Sequence, residues 1–149
     1  MATSFDSVYQ RFMSKVSDYE WDTYTEEELR DELVDYVYTA ISEFVYCRQD
    51  LNDISVDMDG GLQFSADLTN DELELLTGYM VLRWYDTKFI NKQTLLKQTL
   101  PSKDFNVYSP ANQLAALRTQ RDAAMKNTER LRTIYTYKAF NIKDYLRSG

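Results

Sequence analysis

The segment from Thr69 to Ile90 constrains the fold most, because its apolar side chains surround the whole axis of a helix. Thr69 to Glu72 has the form of a capping box, in which a threonine hydroxyl and a glutamate carboxylate satisfy free backbone amides reciprocally. The apolar and aromatic residues that follow occupy every side of the helical projection: Leu73, Leu75, Leu76, Tyr79, Met80, Val81, Leu82, Trp84, Tyr85, Phe89 and Ile90. Such a helix must be enclosed by neighbours, which predicts a helical bundle built around it. Gly78 inside it costs about 1 kcal/mol relative to alanine and predicts close approach of another backbone.

Two helices are predicted before this segment. The first runs from Ser4 to Asp18, because apolar residues recur at helical spacing from Phe5 to Val16. The second begins with another capping box, Thr25 to Glu28. Its apolar residues fall within one arc of about 160°: Leu29, Leu33, Val34, Val37, Ala40, Ile41, Phe44 and Val45. Its acids lie opposite: Glu28, Asp31, Glu32, Asp35 and Glu43. This acidic face is either solvated or a docking surface for a basic partner.

A Gly-rich turn between two alternating segments predicts a small β-hairpin. Apolar residues alternate from Ile54 to Met58 and from Leu62 to Ala66, on either side of Asp59-Gly60-Gly61.

The aspartates around this turn invite comparison with a calcium-binding loop. With Gly60 at the sixth position of an EF-hand loop, the first and twelfth positions hold Ser55 and Ala66, so the first and last ligands are missing. An EF-hand is therefore excluded. A weak, nonspecific cation site stays open among Asp57, Asp59 and Asp67.

The C-terminal part is predicted to contain one long helix. Thr94 to Leu100 is interpreted as a short helical turn, and an exposed connector follows up to Ser109. Ser109 and Pro110 are favoured at a helix start, which predicts a fourth helix from Pro110 to about Thr136. Its apolar stripe is narrow: Leu114, Leu117, Ala124, Met125, Leu131 and Tyr135. Arg121 and Arg132 lie in the same arc, and we expect them to pair with the acids of the second helix, in the same copy or in a neighbouring one.

The fold class predicted from these elements is mainly α: a helical bundle with a small β-hairpin insert, a long C-terminal helix and a tail. Residues 1–100 are expected to form a helical core domain with the hairpin near 54–66. Residues 101–149 are expected to supply a connector, the long helix and the tail, either within the same domain or as a protruding arm.

Charge is divided unevenly along the chain. Residues 1–75 hold 19 acids and 4 bases, whereas residues 76–149 hold 5 acids and 13 bases, and the whole chain has a formal net charge of −7. Three interpretations follow. The two halves neutralise each other within one monomer, or acidic and basic faces of neighbouring copies meet, or the basic half contacts nucleic acid, which the sequence pI of about 4.6 disfavours.

Several kinds of chemistry are excluded by composition. The chain of 149 residues contains no histidine, so it has no Ser-His-Asp triad and no imidazole metal ligand. Its one cysteine excludes an intrachain disulfide and a CxxC pair. No apolar run approaches the roughly 20 residues of a spanning helix, and we expect no membrane association. We predict no enzymatic activity, no cofactor, no catalytic residue and no bound metal.

The combination of these features resembles the head–tail connector proteins, also called adaptor or neck proteins, of tailed bacteriophages. The features are a small acidic helical chain, a hairpin insert, 12 tyrosines, and a sequence from Leu131 to Phe140 in which polar and aromatic residues are mixed. The resemblance implies a virion protein, assembled in the host cytoplasm, that forms a ring below the portal and continues the DNA channel to the tail. Its implied partners are further copies, the portal protein and other head–tail or tail proteins, with only nonspecific contact with DNA.

Two sets of interaction residues are expected. The charge division and the arginines in the fourth helix predict a head-to-tail subunit interface made of Asp31, Asp35, Leu117, Arg121, Leu131 and Arg132. Connector proteins commonly engage the portal through a C-terminal extension, which corresponds here to the segment from Tyr135 onward. The docking residues implied by that position are Tyr137, Lys138, Phe140, Ile142, Lys143, Tyr145, Leu146 and Arg147.

Two other function classes are weighed against a connector. One is a small acidic binding or regulatory protein that acts on a host or viral partner. The other is an enzyme, which without histidine would need carboxylates, tyrosine or lysine for catalysis. A stable monomer or dimer with a protein ligand would favour the first of these, whereas ring formation favours the connector.

Overall fold

The computed structural model describes residues 2–99 and 110–139, and their side chains except at 19–20, 89–99, 110–113 and 139. The predicted fold class is confirmed, since the chain is mainly α with a small antiparallel sheet and a long C-terminal helix. The elements are β1 (Thr3–Ser4), α1 (Phe5–Met13), a 3-10 helix (Tyr19–Thr23), α2 (Glu26–Glu43), β2 (Ile54–Val56), β3 (Leu62–Phe64), α3 (Asn70–Thr99) and α4 (Pro110–Ala139). None of the helices in the described ranges is long and apolar enough to cross a membrane.

Helix α3 is the centre of the bundle, as its apolar surface predicts. It packs against α1, α2 and α4, and Leu75, Leu76 and Met80 on it are fully buried. The helix continues to Thr99, so the separate short turn predicted near its end is wrong. The physical reason is local, because no glycine or proline interrupts the chain between Gly78 and Pro101.

Helix α1 begins where the sequence predicts and ends earlier. The Ser4 side chain accepts a hydrogen bond from the Ser7 amide at 3.2 Å and caps the helix. The helix was expected to reach Asp18 but ends at Met13. Asp18 is drawn toward α3 instead, where its carboxylate accepts hydrogen bonds from Trp84 Nε1 at 2.9 Å and pairs with Lys88 Nζ at 2.8 Å. If α1 continued as a helix to Asp18, the Asp18 carboxylate would lie along the α1 axis rather than against α3. The contact of Asp18 with α3 therefore favours the earlier end of α1.

Helix α2 confirms the threonine cap of the second capping box and corrects the length of the helix's apolar arc. The Thr25 hydroxyl accepts a hydrogen bond from the Glu28 amide at 3.2 Å. Because the helix ends at Glu43, Phe44 enters the core from the following loop, whereas Val45 is 82% exposed rather than part of the buried arc. Tyr36, which was not predicted to be buried, lies in the core and donates a hydrogen bond to Glu32 on its own helix at 2.7 Å.

The predicted hairpin is present, with strands shorter than expected and with an additional neighbour. Strand β3 lies between β1 and β2 in an antiparallel sheet of order β1-β3-β2, with Thr3 and Ile54 both opposite Phe64. Gly60 has φ of 85°, a conformation that glycine adopts without strain. The third strand was not predicted, because a two-residue segment carries no periodicity of its own.

Helices α3 and α4 form a long antiparallel pair. Contacts along the pair run in opposite directions, from Glu72 with Tyr135 at one end to Asp86 with Arg121 toward the other. Between them, a Cβ atom on Gly78 would lie 3.0 Å from Thr128 Oγ1. A neighbour therefore does lie close to Gly78, but it is the buried Thr128 side chain of α4 and not the backbone that was predicted.

Replacing Gly78 with alanine should destabilise the protein by about 1–2 kcal/mol despite the better helix propensity of alanine. The reason is that Thr128 is buried and its hydroxyl is already bonded to the Ala124 carbonyl at 2.9 Å, so it has little room to move. Urea unfolding of the single and double variants measures this. The double variant with Thr128→Ala should recover most of the loss, and simple additivity of the two changes would contradict the packing explanation.

Candidate interaction site

The last turns of α4 are held to the core by a buried carboxylate. Glu72, only 1% exposed, is the last residue of the third capping box. Its Oε1 accepts hydrogen bonds from the Thr69 amide at 2.8 Å and from Gln49 Nε2 at 2.7 Å. Its Oε2 accepts from Tyr135 Oη at 2.8 Å and from Cys47 Sγ at 3.5 Å. We call these five residues the Glu72 cluster. It joins α3, α4 and the loop that follows α2.

The charges of the Glu72 cluster follow from this geometry. Burial by itself raises the pKa of Glu72, but the hydrogen bonds donated by Thr69, Gln49 and Tyr135 outweigh it, so the pKa lies below its ordinary value. Burial raises the pKa of the Cys47 thiol and of the Tyr135 hydroxyl, which keeps both groups protonated as donors. The cluster thus contains one ionised carboxylate surrounded by neutral donors.

Aromatic and cationic groups enclose Tyr135 beyond the cluster. The Arg48 amide donates a hydrogen bond to Tyr135 Oη at 2.9 Å, and its guanidinium lies 4.2 Å from the centre of the same ring. The Arg132 guanidinium lies 5.0 Å from the centre of the Tyr46 ring. Both arginines thus make cation–π contacts within one chain. The predicted interface residue Arg132 is exposed, and its described contact is with an aromatic ring rather than with an acid of the second helix.

The expected pairing between Arg121 and the acids of the second helix is corrected by the structure. Arg121 Nε donates a hydrogen bond to Asp86 on α3 and forms an ion pair with that carboxylate. The reason is the layer order, since the apolar stripe of α4 packs against α3. Leu131 packs against the core, and Leu117 lines a groove of about 280 Å³ beside Tyr85 and Asp86, so both predicted interface residues are half-buried within the chain.

The acidic face of α2 is exposed where the sequence predicts it. Asp31 and Asp35 are exposed, and within the described part of the chain neither forms an ion pair. Glu32 differs from its neighbours, because its carboxylate accepts hydrogen bonds from Trp21 Nε1 at 3.0 Å and from Tyr36 Oη at 2.7 Å. The free acidic face therefore contains the two predicted aspartates, with Glu28 beside them.

The outer face of α4 combines basic and apolar residues. Lys126 and Arg130 are exposed, and Ile134 and Tyr137 farther along the helix are 41% and 75% exposed. Most of the Tyr137 side chain is therefore exposed on the surface. We call these four residues the α4 outer face.

Of the remaining predicted docking residues, only Lys138 lies within the described part of the chain. Lys138 forms an ion pair with Asp71 on α3, with 2.7 Å between Nζ and Oδ2. The others lie outside the described residues: Phe140, Ile142, Lys143, Tyr145, Leu146 and Arg147.

Charged side chains also meet in a groove between the helices and at the turn of the hairpin. A groove of about 300 Å³ lies between α2, α3 and α4, and charges of both signs line it, including Glu43, Arg83 and Glu129. Across the residues with described positions, no group of three or more cysteines and acids is arranged to hold a metal ion. In the hairpin, Asp57 Oδ1 already accepts hydrogen bonds from the amides of Asp59 and Gly61, at 2.9 and 2.8 Å.

Sequence reasoning identified the acidic face of α2 but missed the α4 outer face and the Glu72 cluster. The signals for it were the capping box, which places Glu72 near the start of α3, and Tyr135 in the apolar stripe of α4. No protein-family model matches this chain, and neither does any curated protein or solved structure. The function is therefore argued from the two exposed faces and their charges.

Proposed function

We propose that this protein is an assembly protein whose copies join head to tail into a ring, and that it serves as a head–tail connector in a tailed bacteriophage virion. The observation that carries the proposal is the presence of two complementary exposed faces on one chain. Asp31 and Asp35 on α2 form an acidic face, and the α4 outer face supplies Lys126 and Arg130 beside exposed apolar side chains.

The orientation of the two faces favours contact between copies over contact within one chain. The buried residues of α2, such as Leu33 and Val37, face the core, so its aspartates point away from α3. The α4 outer face likewise lies opposite Thr128 and Tyr135, which are buried against α3. We therefore assign the contact between the faces to two different copies. A contact between two different faces repeats from copy to copy and closes into a ring when the rotation permits.

The structure changes which residues of α4 are proposed for this contact. Arg121 already forms an ion pair with Asp86 of its own chain, and Leu117 and Leu131 are half-buried against that chain. Lys126, Arg130, Ile134 and Tyr137 replace them, because they are exposed and share one side of the helix. The two exposed apolar residues supply affinity, while the charges set register and association rate.

The connector role adds partners to the ring. In that role the ring lies below a portal protein and continues a channel for DNA, and the part of the chain that follows the buried Tyr135 docks onto the portal. The support for this assignment is Tyr137, an aromatic side chain left exposed near the end of the described chain, which the subunit contact and the portal would then share. Contact with DNA is expected to be nonspecific and electrostatic.

Reversing the charges of the α4 outer face should weaken self-assembly. Lys126→Glu with Arg130→Glu is expected to raise the concentration needed for assembly about tenfold or more, because two attractive pairs become repulsive. Adding Asp31→Lys and Asp35→Lys should restore part of the affinity. Analytical ultracentrifugation of the four combinations at matched concentration measures this, with a portal protein added if the isolated chain sediments as a monomer.

The matched control is Lys126→Arg with Arg130→Lys, which keeps both charges and should assemble normally. Raising the salt concentration should weaken the contact, because exposed charges are screened over about 8 Å at physiological ionic strength. Unchanged assembly in the charge-reversed variant would contradict the proposed contact. A monomer that forms no ring with or without a portal protein, and instead binds a basic protein through α2, would support the small regulatory protein.

A further inference from the structure

The β-sheet has an open edge at β2. In the order β1-β3-β2, β2 borders β3 on one side, and no described strand lies on its other side. The Asp57 amide donates a hydrogen bond across the hairpin to the Gly61 carbonyl at 2.8 Å. Because successive residues of a strand direct their amides and carbonyls to opposite sides, those of Ile54 and Val56 point away from β3 and toward the open edge.

The two faces of the sheet differ in chemistry along β2. Ile54 lies opposite the fully buried Phe64, so the side chains of Ile54 and Val56 are on the core face. Val56 is nevertheless 63% exposed. The side chain of Ser55 is on the other face, where Gln63 Nε2 of β3 donates a hydrogen bond to its hydroxyl at 3.3 Å. A strand added at this edge would therefore meet apolar side chains on one face and polar ones on the other.

The charge around β2 is entirely negative. From Asp50 to Ala66 the chain contains four aspartates and no lysine or arginine. Asp53 precedes β2 and Asp57 follows it, and alternation places both on the face of Ser55. Within the described part of the chain, none of the four aspartates forms an ion pair. The polar face of the edge is therefore acidic and its charge is not neutralised by described neighbours.

This charge disfavours pairing of the edge with a second copy of itself. Antiparallel pairing of two β2 strands about Ser55 would place Asp53 of one copy opposite Asp57 of the other, and like charges directly opposite each other destabilise a sheet. Many natural sheets blunt an exposed edge with lysine or proline, and β2 contains neither. The edge is thus protected against its own copy but not against a basic strand.

We propose that the β2 edge binds an extended segment of a partner protein in which apolar residues alternate with lysine or arginine, as a fourth strand of the sheet. The outward groups of Ile54 and Val56 form its main-chain hydrogen bonds. Its apolar side chains lie beside Val56 and the fully exposed Met58, and its bases lie beside Asp53 and Asp57. In this mode of recognition, main-chain hydrogen bonds give affinity and alternate side chains give specificity. The surface shares no residue with the ring contact proposed above and adds a second kind of partner.

A short synthetic peptide in which valine and lysine alternate, blocked at both ends, is the probe. Fluorescence anisotropy of the labelled peptide with the full chain measures binding, and amide hydrogen exchange locates it. The amides of Ile54 and Val56 should exchange about tenfold or more slowly with peptide bound, whereas the Asp57 amide, already bonded to Gly61, should change little. A peptide with the valines and lysines in two separate blocks keeps the charge and should bind about tenfold or more weakly.

Variants of the edge test the main-chain and charge contacts separately. Val56→Pro removes an outward donor and no hydrogen bond of the hairpin, because proline is tolerated at an edge position whose amide faces solvent. It should weaken binding about tenfold or more, whereas Val56→Ile should not. Asp53→Lys should weaken binding of the lysine peptide and strengthen binding of a peptide in which valine alternates with glutamate. Circular dichroism checks that each variant is folded, and the Asp53 variant tests the proposal even if Val56→Pro is not.

Three results would overturn the proposal. Slow exchange of Ile54 and Val56 without peptide, unaffected by dilution, would show that the chain itself covers the edge. Slow exchange that is lost on dilution would assign the edge to a second copy. Equal binding of the alternating and block peptides would reduce the contact to nonspecific attraction between a basic peptide and an acidic chain. None of these results bears on ring formation by α2 and α4.

Discussion

Replacing Glu72 with alanine is expected to lower the free energy of unfolding by about 3 kcal/mol and to loosen the end of α4. The carboxylate accepts hydrogen bonds from Thr69, Gln49 and Tyr135 in a place that water does not reach, so its removal leaves buried donors without partners. Urea unfolding followed by circular dichroism gives the stability, and hydrogen exchange near Tyr135 reports on the helix end. A loss below about 0.5 kcal/mol would show that the cluster contributes little.

The pH dependence of stability provides the control for this prediction. Because the pKa of Glu72 is lower in the folded chain, its contribution is complete above the pKa of an unfolded glutamate, about 4.3, and is lost as the pH falls through the folded value. Glu72→Gln keeps the shape but does not titrate. The stability difference between wild type and Glu72→Gln should therefore shrink as the pH is lowered below about 5. A stability difference that does not change with pH would show that the Glu72 carboxylate is not the source of the stabilisation.

Replacing Phe44 with alanine is expected to cost about 3–5 kcal/mol of stability. Its ring is 2% exposed and lies among Tyr46, Tyr79 and Tyr135, with ring centres 4.8, 6.1 and 5.6 Å away. The substitution leaves a cavity where the loop after α2 meets α3 and α4. Urea unfolding measures the loss, and Phe44→Leu, which fills most of the volume, should cost about 1.5 kcal/mol or less. Equal losses in the two variants would argue against a packed aromatic cluster.

The starts of the helices could be predicted because their signals are local. Ser4, Thr25 and Thr69 each bond an amide three residues ahead, and Pro110 suits the first turn of a helix. The turn at Gly60 is equally local, which is why the hairpin was predicted. An apolar surface on every side of α3 required neighbours on every side, and this determined the fold class.

The ends of the helices and the partners of the charged residues could not be predicted in the same way. Asp18 contacts Trp84 and Lys88 of α3 instead of continuing α1, and Arg121 forms an ion pair with Asp86. These choices depend on which helices become neighbours, and helical periodicity shows which face of a helix is buried without showing what covers it.

The sequence by itself determined the helix starts, the hairpin turn, the central position of α3 and the exposed acidic face of α2. Only the tertiary structure decided that Arg121 of α4 pairs with Asp86 of α3, that Glu72 is buried beneath Tyr135, and that Thr3–Ser4 joins the sheet. The physical reason is the range of the interactions. Helix caps and turns are formed by hydrogen bonds between residues within about four positions of each other, so a short sequence pattern is enough to predict them. Tyr135 and Glu72 are 63 residues apart, and packing of α4 on α3 brings them together.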